Sequence, residues 1–352
     1  MAKRRGRHLA RVLLVLAVLL MPVACTEGES QVSEREAEPA PEFTGRILTT
    51  GGFRDPAMQI HDLTEDTTER IRLPGDPEVV DAFWSEAGDS AYVLAEAAST
   101  GLMLEIGADG RVRRFGEALP GYGTTADLGG SLLLATVCRR NDPSILVMDV
   151  EEPGDWRKVA SGCSGALSPN GQEVVYSPDG RALWTIAASG QGRTRKIADL
   201  EDLSGVEPHE VSLARIESID WGDGGIALEV SIGDRLLAVL VGEDGSVGAT
   251  AGDPGVNELD LTWQPGGDRL AVVTFSSAFN DAEAVLRMID ADRREGQVVA
   301  IDPSRFFNMT WSPEGDYLVA TTSDGRWLFA DAEGNWLKSE HILAAGTLDW
   351  AQ

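Results

Sequence analysis

The chain holds little of what most catalytic chemistry uses. Its 352 residues include four His and three Cys. Past residue 24 the histidines are His61, His209 and His341; no two stand at a metal-ligand spacing, and no His-Glu-x-x-His occurs. The Gly-x-Ser-x-Gly elbow of serine hydrolases is missing as well. Cations are scarce, with 30 Lys and Arg against 57 Asp and Glu and a formal net charge of −27. Such a field repels nucleic acid and anionic lipid, which removes nucleic acid from the expected partners and leaves basic partners or divalent cations. The longest apolar run, Val12 to Ala24, has thirteen residues and is short for a bilayer span. No stretch sustains a 3.6-residue apolar period, so a helical fold is not expected.

What the chain does have is tryptophan at a regular interval. Phe83-Trp84-Ser85-Glu86-Ala87-Gly88, Trp221-Gly222-Asp223-Gly224, Trp263-Gln264-Pro265-Gly266-Gly267-Asp268 and Trp311-Ser312-Pro313-Glu314-Gly315-Asp316 place a Trp before a tight turn, and Leu167-Ser168-Pro169-Asn170-Gly171 repeats the pattern with Leu. A last copy, Leu348-Asp349-Trp350, closes the chain. With Leu128 added, the anchors fall at 84, 128, 167, 221, 263, 311 and 350, spaced by 44, 39, 54, 42, 48 and 39 residues. Between anchors lie short β-branched runs bounded by Gly, Asp, Asn and Pro, which are strand signals. A strand-rich repeat of about 40–50 residues signals a β-propeller with one four-stranded sheet per repeat.

The two ends complement each other. Residues 44–74 supply three strands without an anchor, and the last copy supplies an innermost strand with nothing after it. Pairing them in one blade closes the ring and removes exposed edges. The expected fold is all-β, a seven-bladed propeller, with six blades as the alternative if a Leu-anchored repeat is irregular. The Trp-Ser-Pro-x-Gly turns resemble those of TolB-like and WD-repeat-like propellers; Trp311 to Val319 and Trp263 to Val272 match best. That resemblance implies a fold and leaves function open, because these propellers host many roles.

The N-terminus reads as a targeting segment over residues 1–24. Lys3, Arg4, Arg5, Arg7 and Arg11 precede the apolar run, which ends at Val23-Ala24-Cys25. This resembles a bacterial lipoprotein signal and implies lipidation at Cys25 and membrane attachment through that lipid; an ordinary secretory signal or an uncleaved anchor is the alternative. Membrane-anchored propellers of the actinobacterial LpqB type are similar, which implies a cell-envelope location. Residues 25–43, with six Glu and two Pro, have almost nothing to bury and read as a disordered acidic tether. Residues 44–352 are then the propeller. Removing residues 1–24 strips five basic and no acidic residues, so −27 becomes −32.

Three sets of residues are candidates for chemistry or binding. Cys138 and Cys163 form an even pair for a disulfide in an oxidising compartment, or else two buried thiols. Asp127, Asp220 and Asp349 stand one place before an anchor, and Asp81 and Asp260 three places before. One and three share a parity, so all five lie on one side of the innermost strands. They either ring the axial channel as Ca²⁺ ligands or accept hydrogen bonds from a neighbouring blade. Finally, long insertions at 199–214 and 275–284 fall on the face of the d–a and b–c connections. Long loops on a rigid scaffold tend to carry binding, so Arg54, Tyr122, Arg139, Arg140, His209, Phe279, Asn280 and Arg305 are the binding-face candidates. No cofactor is required, Ca²⁺ being the one exception. The expected function is non-catalytic binding of an envelope protein, peptide or glycan; the alternative is an envelope hydrolase or lyase with an acidic or Ca²⁺-dependent site at the channel mouth.

Overall fold

A computed structural model of the chain describes residues 43–351 apart from 51–57, 86, 98–99, 117, 120–122, 139–141, 243, 252–255, 277–282, 292–295, 303–305, 323–325 and 342–347. The described strands form seven separate sheets. Their innermost strands are Leu348–Ala351 (blade 1), Glu78–Trp84 (blade 2), Gly123–Gly129 (blade 3), Ser164–Leu167 (blade 4), Arg215–Gly222 (blade 5), Val256–Trp263 (blade 6) and Phe306–Trp311 (blade 7). Each packs beside the next around a closed circuit. The fold is a seven-bladed β-propeller, so the two Leu-anchored repeats are regular blades.

Blade 1 joins the chain ends as the anchors require. The C-terminal strand Leu348–Ala351 pairs antiparallel with Arg46–Thr50, aligning Trp350 with Ile47 and Asp349 with Leu48. The strands Met58–Asp62 and Thr67–Ile71 complete the sheet.

The core is seven wedges, one in each seam between adjacent blades. Both faces of a blade are therefore buried, which explains why the middle strands read as continuous apolar runs rather than alternating ones. Ala91 to Ala95 are all fully or nearly fully buried. The outermost strands turn charged residues to water, as in Val112–Arg114 and Thr67–Ile71. Alternation still decides which seam a side chain enters. On the innermost strand of blade 2, Ala82 and Trp84 pack toward blade 1, and Val80 and Phe83 pack toward blade 3. The anchors follow this rule around the ring. Each points into the seam with the preceding blade, Leu128 and Leu167 included.

The residue after an anchor must make room for the next blade's anchor. Added at Gly222, a Cβ would lie 2.2 Å from the Cβ of Trp263; at Gly129 it would lie 2.9 Å from the Cβ of Leu167. These glycines are therefore set by close packing between blades.

The seam between blades 7 and 1 is the most aromatic. Phe43 is stacked on Phe329 at 4.3 Å between centroids, and Trp350 meets Phe329 edge-on at 6.2 Å. The Trp350 indole donates to the Thr44 carbonyl at 3.0 Å. Phe43, at the end of the segment read as a tether, is thus part of the folded core. His61 lies edge-on to Trp327 at 4.9 Å, and burial lowers its pKa to about 4.

Trp350→Ala is expected to destabilise the ring by about 3–5 kcal/mol, the usual cost of truncating a buried aromatic. Trp221→Ala, at a half-buried anchor, is expected to cost less. Denaturant melts of the two variants check the order; equal losses would contradict a closure made by blade 1.

Candidate functional site

An innermost strand has a neighbour on one side only. Its other edge faces the axis and carries backbone amides that no strand can pair, a costly condition inside a protein. The five aspartates predicted to share one side of these strands meet this need. Asp81 accepts from the amides of Ala82 (2.9 Å) and Ala126 in blade 3 (3.2 Å). Asp127 accepts from Leu128 (2.8 Å) and Leu167 in blade 4 (2.7 Å). Asp220 is bonded by the amides of Trp221 and Trp263 in blade 6. Asp260 is bonded by those of Leu261 and Met309 in blade 7. Asp349 accepts from Trp350 (2.9 Å) and Trp84 in blade 2 (2.6 Å).

The rule is regular. An Asp one place before its anchor reaches the next anchor's amide, and an Asp three places before reaches the amide two places earlier. The two seams without such an Asp use hydroxyls at the same registers. Ser164, three places before Leu167, donates to the Glu217 carbonyl of blade 5 at 2.8 Å. Thr310, one place before Trp311, donates to Asp349 at 3.3 Å. A polar link thus crosses all seven seams near the axis. Register could have found Ser164 and Thr310 in the sequence; attention to carboxylates alone did not.

Protein crowds the five carboxylates from every side, although each aspartate as a whole residue is half-buried. Desolvation is the main influence on them, and it raises their pKa values: to about 7 for Asp81, Asp220 and Asp260, and to about 6 for Asp127 and Asp349. Backbone amides oppose the rise, and neighbouring carboxylates add to it at Asp81, Asp220 and Asp260. Among the described residues no three His, Cys, Asp or Glu side chains gather at a spacing that holds a metal ion. The belt's oxygens are turned to backbone amides across the seams.

The remaining predicted residues divide sharply. Cys138 and Cys163 are joined in a disulfide, with Cα atoms 4.8 Å apart. The bond ties the end of the second strand of blade 3 to the entry of blade 4. Cys25, Arg54, Tyr122, Arg139, Arg140, Phe279, Asn280 and Arg305 lie outside the described residues. His209 is exposed on a one-turn helix, Pro208–Val211.

The insertion at 199–214 is not the open loop its length suggested. It forms a 3₁₀ turn at Leu200–Asp202, the strand Leu203–Ser204 and the one-turn helix. The short strand pairs parallel with the outermost strand of blade 5, Val247–Ala251, and covers its edge. Leu200, Leu203 and Ala214 are buried in the seam between blades 4 and 5, with Val206 and Val211 against them. Glu210 of the helix bonds Arg235 at 2.7 Å. Apolar residues spaced along the insertion turned it into a buttress.

Sequence reasoning also missed a set of arginines that reach across seams farther from the axis. Arg157 donates to the Ala188 carbonyl at 3.0 Å, and Arg181 to the Ser212 carbonyl at 3.0 Å. Arg269 donates to the Ala332 carbonyl, and Arg46 to that of Gly88 while lying 4.7 Å over the Trp84 ring. Arg46 also separates two clefts on the face of the short turns. One, of about 370 Å³, includes Thr44, Asp62, Thr64 and Glu314; the other, of about 190 Å³, includes Glu69 and Trp84. A third, of about 420 Å³, lies between blades 2 and 3 beside Tyr92 and Glu151. These clefts are shallow and mixed in polarity, and they occupy the face opposite the predicted binding loops.

No protein-family profile matches the chain, and neither does any curated protein. Solved structures share its fold. A provisional 6-phosphogluconolactonase of Bacteroides uniformis aligns over 88% of this chain and 100% of its own, with TM-score 0.60 and 13% identity. TolB from Acinetobacter baumannii aligns over 89% of this chain and 68% of its own, with TM-score 0.51 and 14% identity. The Cps50 (Swd1) β-propeller domain of Myceliophteria thermophila aligns over 77% and 88%, with TM-score 0.54 and 12% identity. The chain therefore has a TolB-like and WD40-like propeller fold, and at such identities the likeness is one of fold alone.

Replacing Cys138 and Cys163 together by Ser is expected to lower stability by about 3 kcal/mol in the chain-entropy account of cross-links. Melts of the oxidised protein and the variant measure it. An unchanged midpoint would mean that the bridge adds nothing to the ring.

Proposed function

We propose that this chain is an extracytoplasmic, lipid-anchored propeller that acts as a non-catalytic binding or scaffold module at the cell envelope. The observation that carries the reading is the Cys138–Cys163 bridge. Disulfides persist in oxidising compartments outside the cytoplasm, in keeping with the basic and apolar residues that lead to Cys25. The bridge also fixes Cys138, which immediately precedes Arg139 and Arg140 in the sequence, to the entry of blade 4. A binding segment that follows a fixed point of a rigid scaffold has a lower ordering cost. The partner is an envelope protein, peptide or glycan, engaged through the face of the d–a and b–c connections. Arginines are effective there because a planar guanidinium pairs with carboxylates and carbonyls in two-point fashion.

The rival reading is an envelope hydrolase or lyase. In its favour stands the likeness in fold to the provisional 6-phosphogluconolactonase. Against it, the carboxylates best suited to acid–base work are engaged by backbone amides.

Two measurements test the reading. Cells expressing the full chain are expected to incorporate labelled fatty acid into it, and Cys25→Ser to abolish the label and release the protein from membranes. With the compact part from residue 40 onward as bait, Arg139→Glu with Arg140→Glu is expected to reduce partner recovery at least tenfold, and Glu314→Lys on the opposite face to leave it unchanged. The reverse pattern would move the binding face to the short-turn side.

A further inference from the structure

We propose that the short-turn end of blade 1 holds a separate binding site for a neutral saccharide, with the Trp84 ring as its floor and Arg46 as a movable cover. Two clefts of about 370 and 190 Å³ meet there, and Arg46 and Asp62 line both. Together they reach the roughly 300–1,000 Å³ of ordinary small-ligand sites. Trp84, from blade 2, lines the smaller one. This end of the ring is opposite the predicted binding loops.

The indole of Trp84 carries the first observation. The N–H of Trp311 donates to the Thr262 carbonyl at 3.2 Å, and that of Trp350 to the Thr44 carbonyl at 3.0 Å. The N–H of Trp84 has no partner, although the residue is only 6% exposed. A buried donor without an acceptor costs a fold stability. Trp263 and Trp327 share that condition, but neither lines one of the three clefts described above. The second observation is what lies on the ring. The Arg46 guanidinium sits 4.7 Å from the Trp84 centroid and donates to the Gly88 carbonyl. Arg46 is half-buried, and a cation over an aromatic face is a weak hold where water can reach it. Turning Arg46 aside joins the two clefts and bares the indole.

The walls then select the ligand. Asp62 is fixed by the amides of Thr64 (3.0 Å) and Glu65 (2.9 Å), both on one oxygen. Glu69 sends its carboxylate across the seam to blade 2, where a Cβ on Gly110 would lie 3.0 Å from Oε1. The Thr67 hydroxyl stands beside them. Carboxylates need donors, and the Trp84 N–H needs an acceptor. A ring of adjacent hydroxyls supplies both at close spacing, and the C–H face of a sugar ring suits the flat apolar indole. A basic side chain would leave the Trp84 N–H unanswered. An anionic ligand would be repelled by Asp62, Glu69 and the net charge of the chain. Among the described residues no three His, Cys, Asp or Glu side chains gather to hold a metal ion there.

The test is calorimetric titration of the full chain, purified in a sugar-free detergent, with maltotetraose, mannotetraose and galactotetraose. At least one is expected to bind, and tetragalacturonate is not. Glu69→Ala, at an exposed position, is expected to weaken binding about tenfold, the scale of a lost hydrogen bond to a charged group. Trp84→Phe keeps a ring and removes the N–H, and is expected to weaken it about threefold or more. Arg46→Ala, which removes the cover, is expected to bind at least as tightly as the wild type. Asp234→Ala, on the exposed surface of blade 5, is expected to change nothing. If Trp84→Phe does not fold, Glu69→Ala decides. The proposal is overturned by absence of binding to all three neutral sugars, or by binding that survives Glu69→Ala. Tighter binding of an arginine-rich peptide than of any sugar would overturn it too, and loss of binding in Arg46→Ala would refute the cover.

Discussion

The structure turns on one constraint: seven sheet edges meet at an axis where no further strand can pair with them. In a barrel the last strand bonds to the first and edges vanish. In a propeller the sheets stand radially, and every inner edge keeps amides turned toward its neighbours and the centre. In five of the seven seams such amides are accepted by carboxylates that the preceding blade sends across. One side chain serves two strands, so the solution to an edge problem also locks adjacent blades together. Asp127 shows the economy of it, with one oxygen on Leu128 and the other on Leu167.

Apolar packing then does the bulk of the work. Each seam is a wedge filled from both sides, with an anchor Trp or Leu near its inner end and a small residue beneath it where the next blade comes close. Trp263 over Gly222 is the clearest pair. Farther out, arginines donate to carbonyls of the next blade. Polar links thus bracket each apolar wedge in the seams of Arg46, Arg157 and Arg269, where an inner Asp lies at small radius and a guanidinium at large radius. The closure inside blade 1, where Leu348–Ala351 pairs with Arg46–Thr50, has no peptide connection to help it, and the adjoining seam with blade 7 carries the densest aromatic contacts, built on Phe43, Phe329 and Trp350.

Much of this was legible in the sequence because it is periodic. The Trp spacing announced the blades, and the unmatched pieces at the two ends announced the shared one. The parity of Asp81, Asp127, Asp220, Asp260 and Asp349 put them on one side of the inner strands; which amides they would meet depends on how adjacent sheets are staggered, which no local pattern encodes. Ser164 and Thr310 stand at the same registers and were passed over because hydroxyls carry no charge signal. The insertion at 199–214 misled for a different reason. Its length and polarity suggested an exposed loop, yet Leu200, Leu203 and Ala214 had a seam to enter. Cross-seam arginines such as Arg157 were invisible because their acceptors are backbone carbonyls, common to every residue.

A ring held in this way suits a module whose loops are to be presented rigidly, and it makes the inner carboxylates structural before they are anything else. The most direct measurement of that claim is hydrogen exchange at single amides in Asp349→Ala. The Trp84 amide, which donates to Asp349 at 2.6 Å, should lose protection by at least tenfold, and the Trp263 amide, bonded to Asp220 across a different seam, should exchange as before. Unchanged protection at Trp84 would contradict the account, because its amide would then be held by something other than the carboxylate of the neighbouring blade.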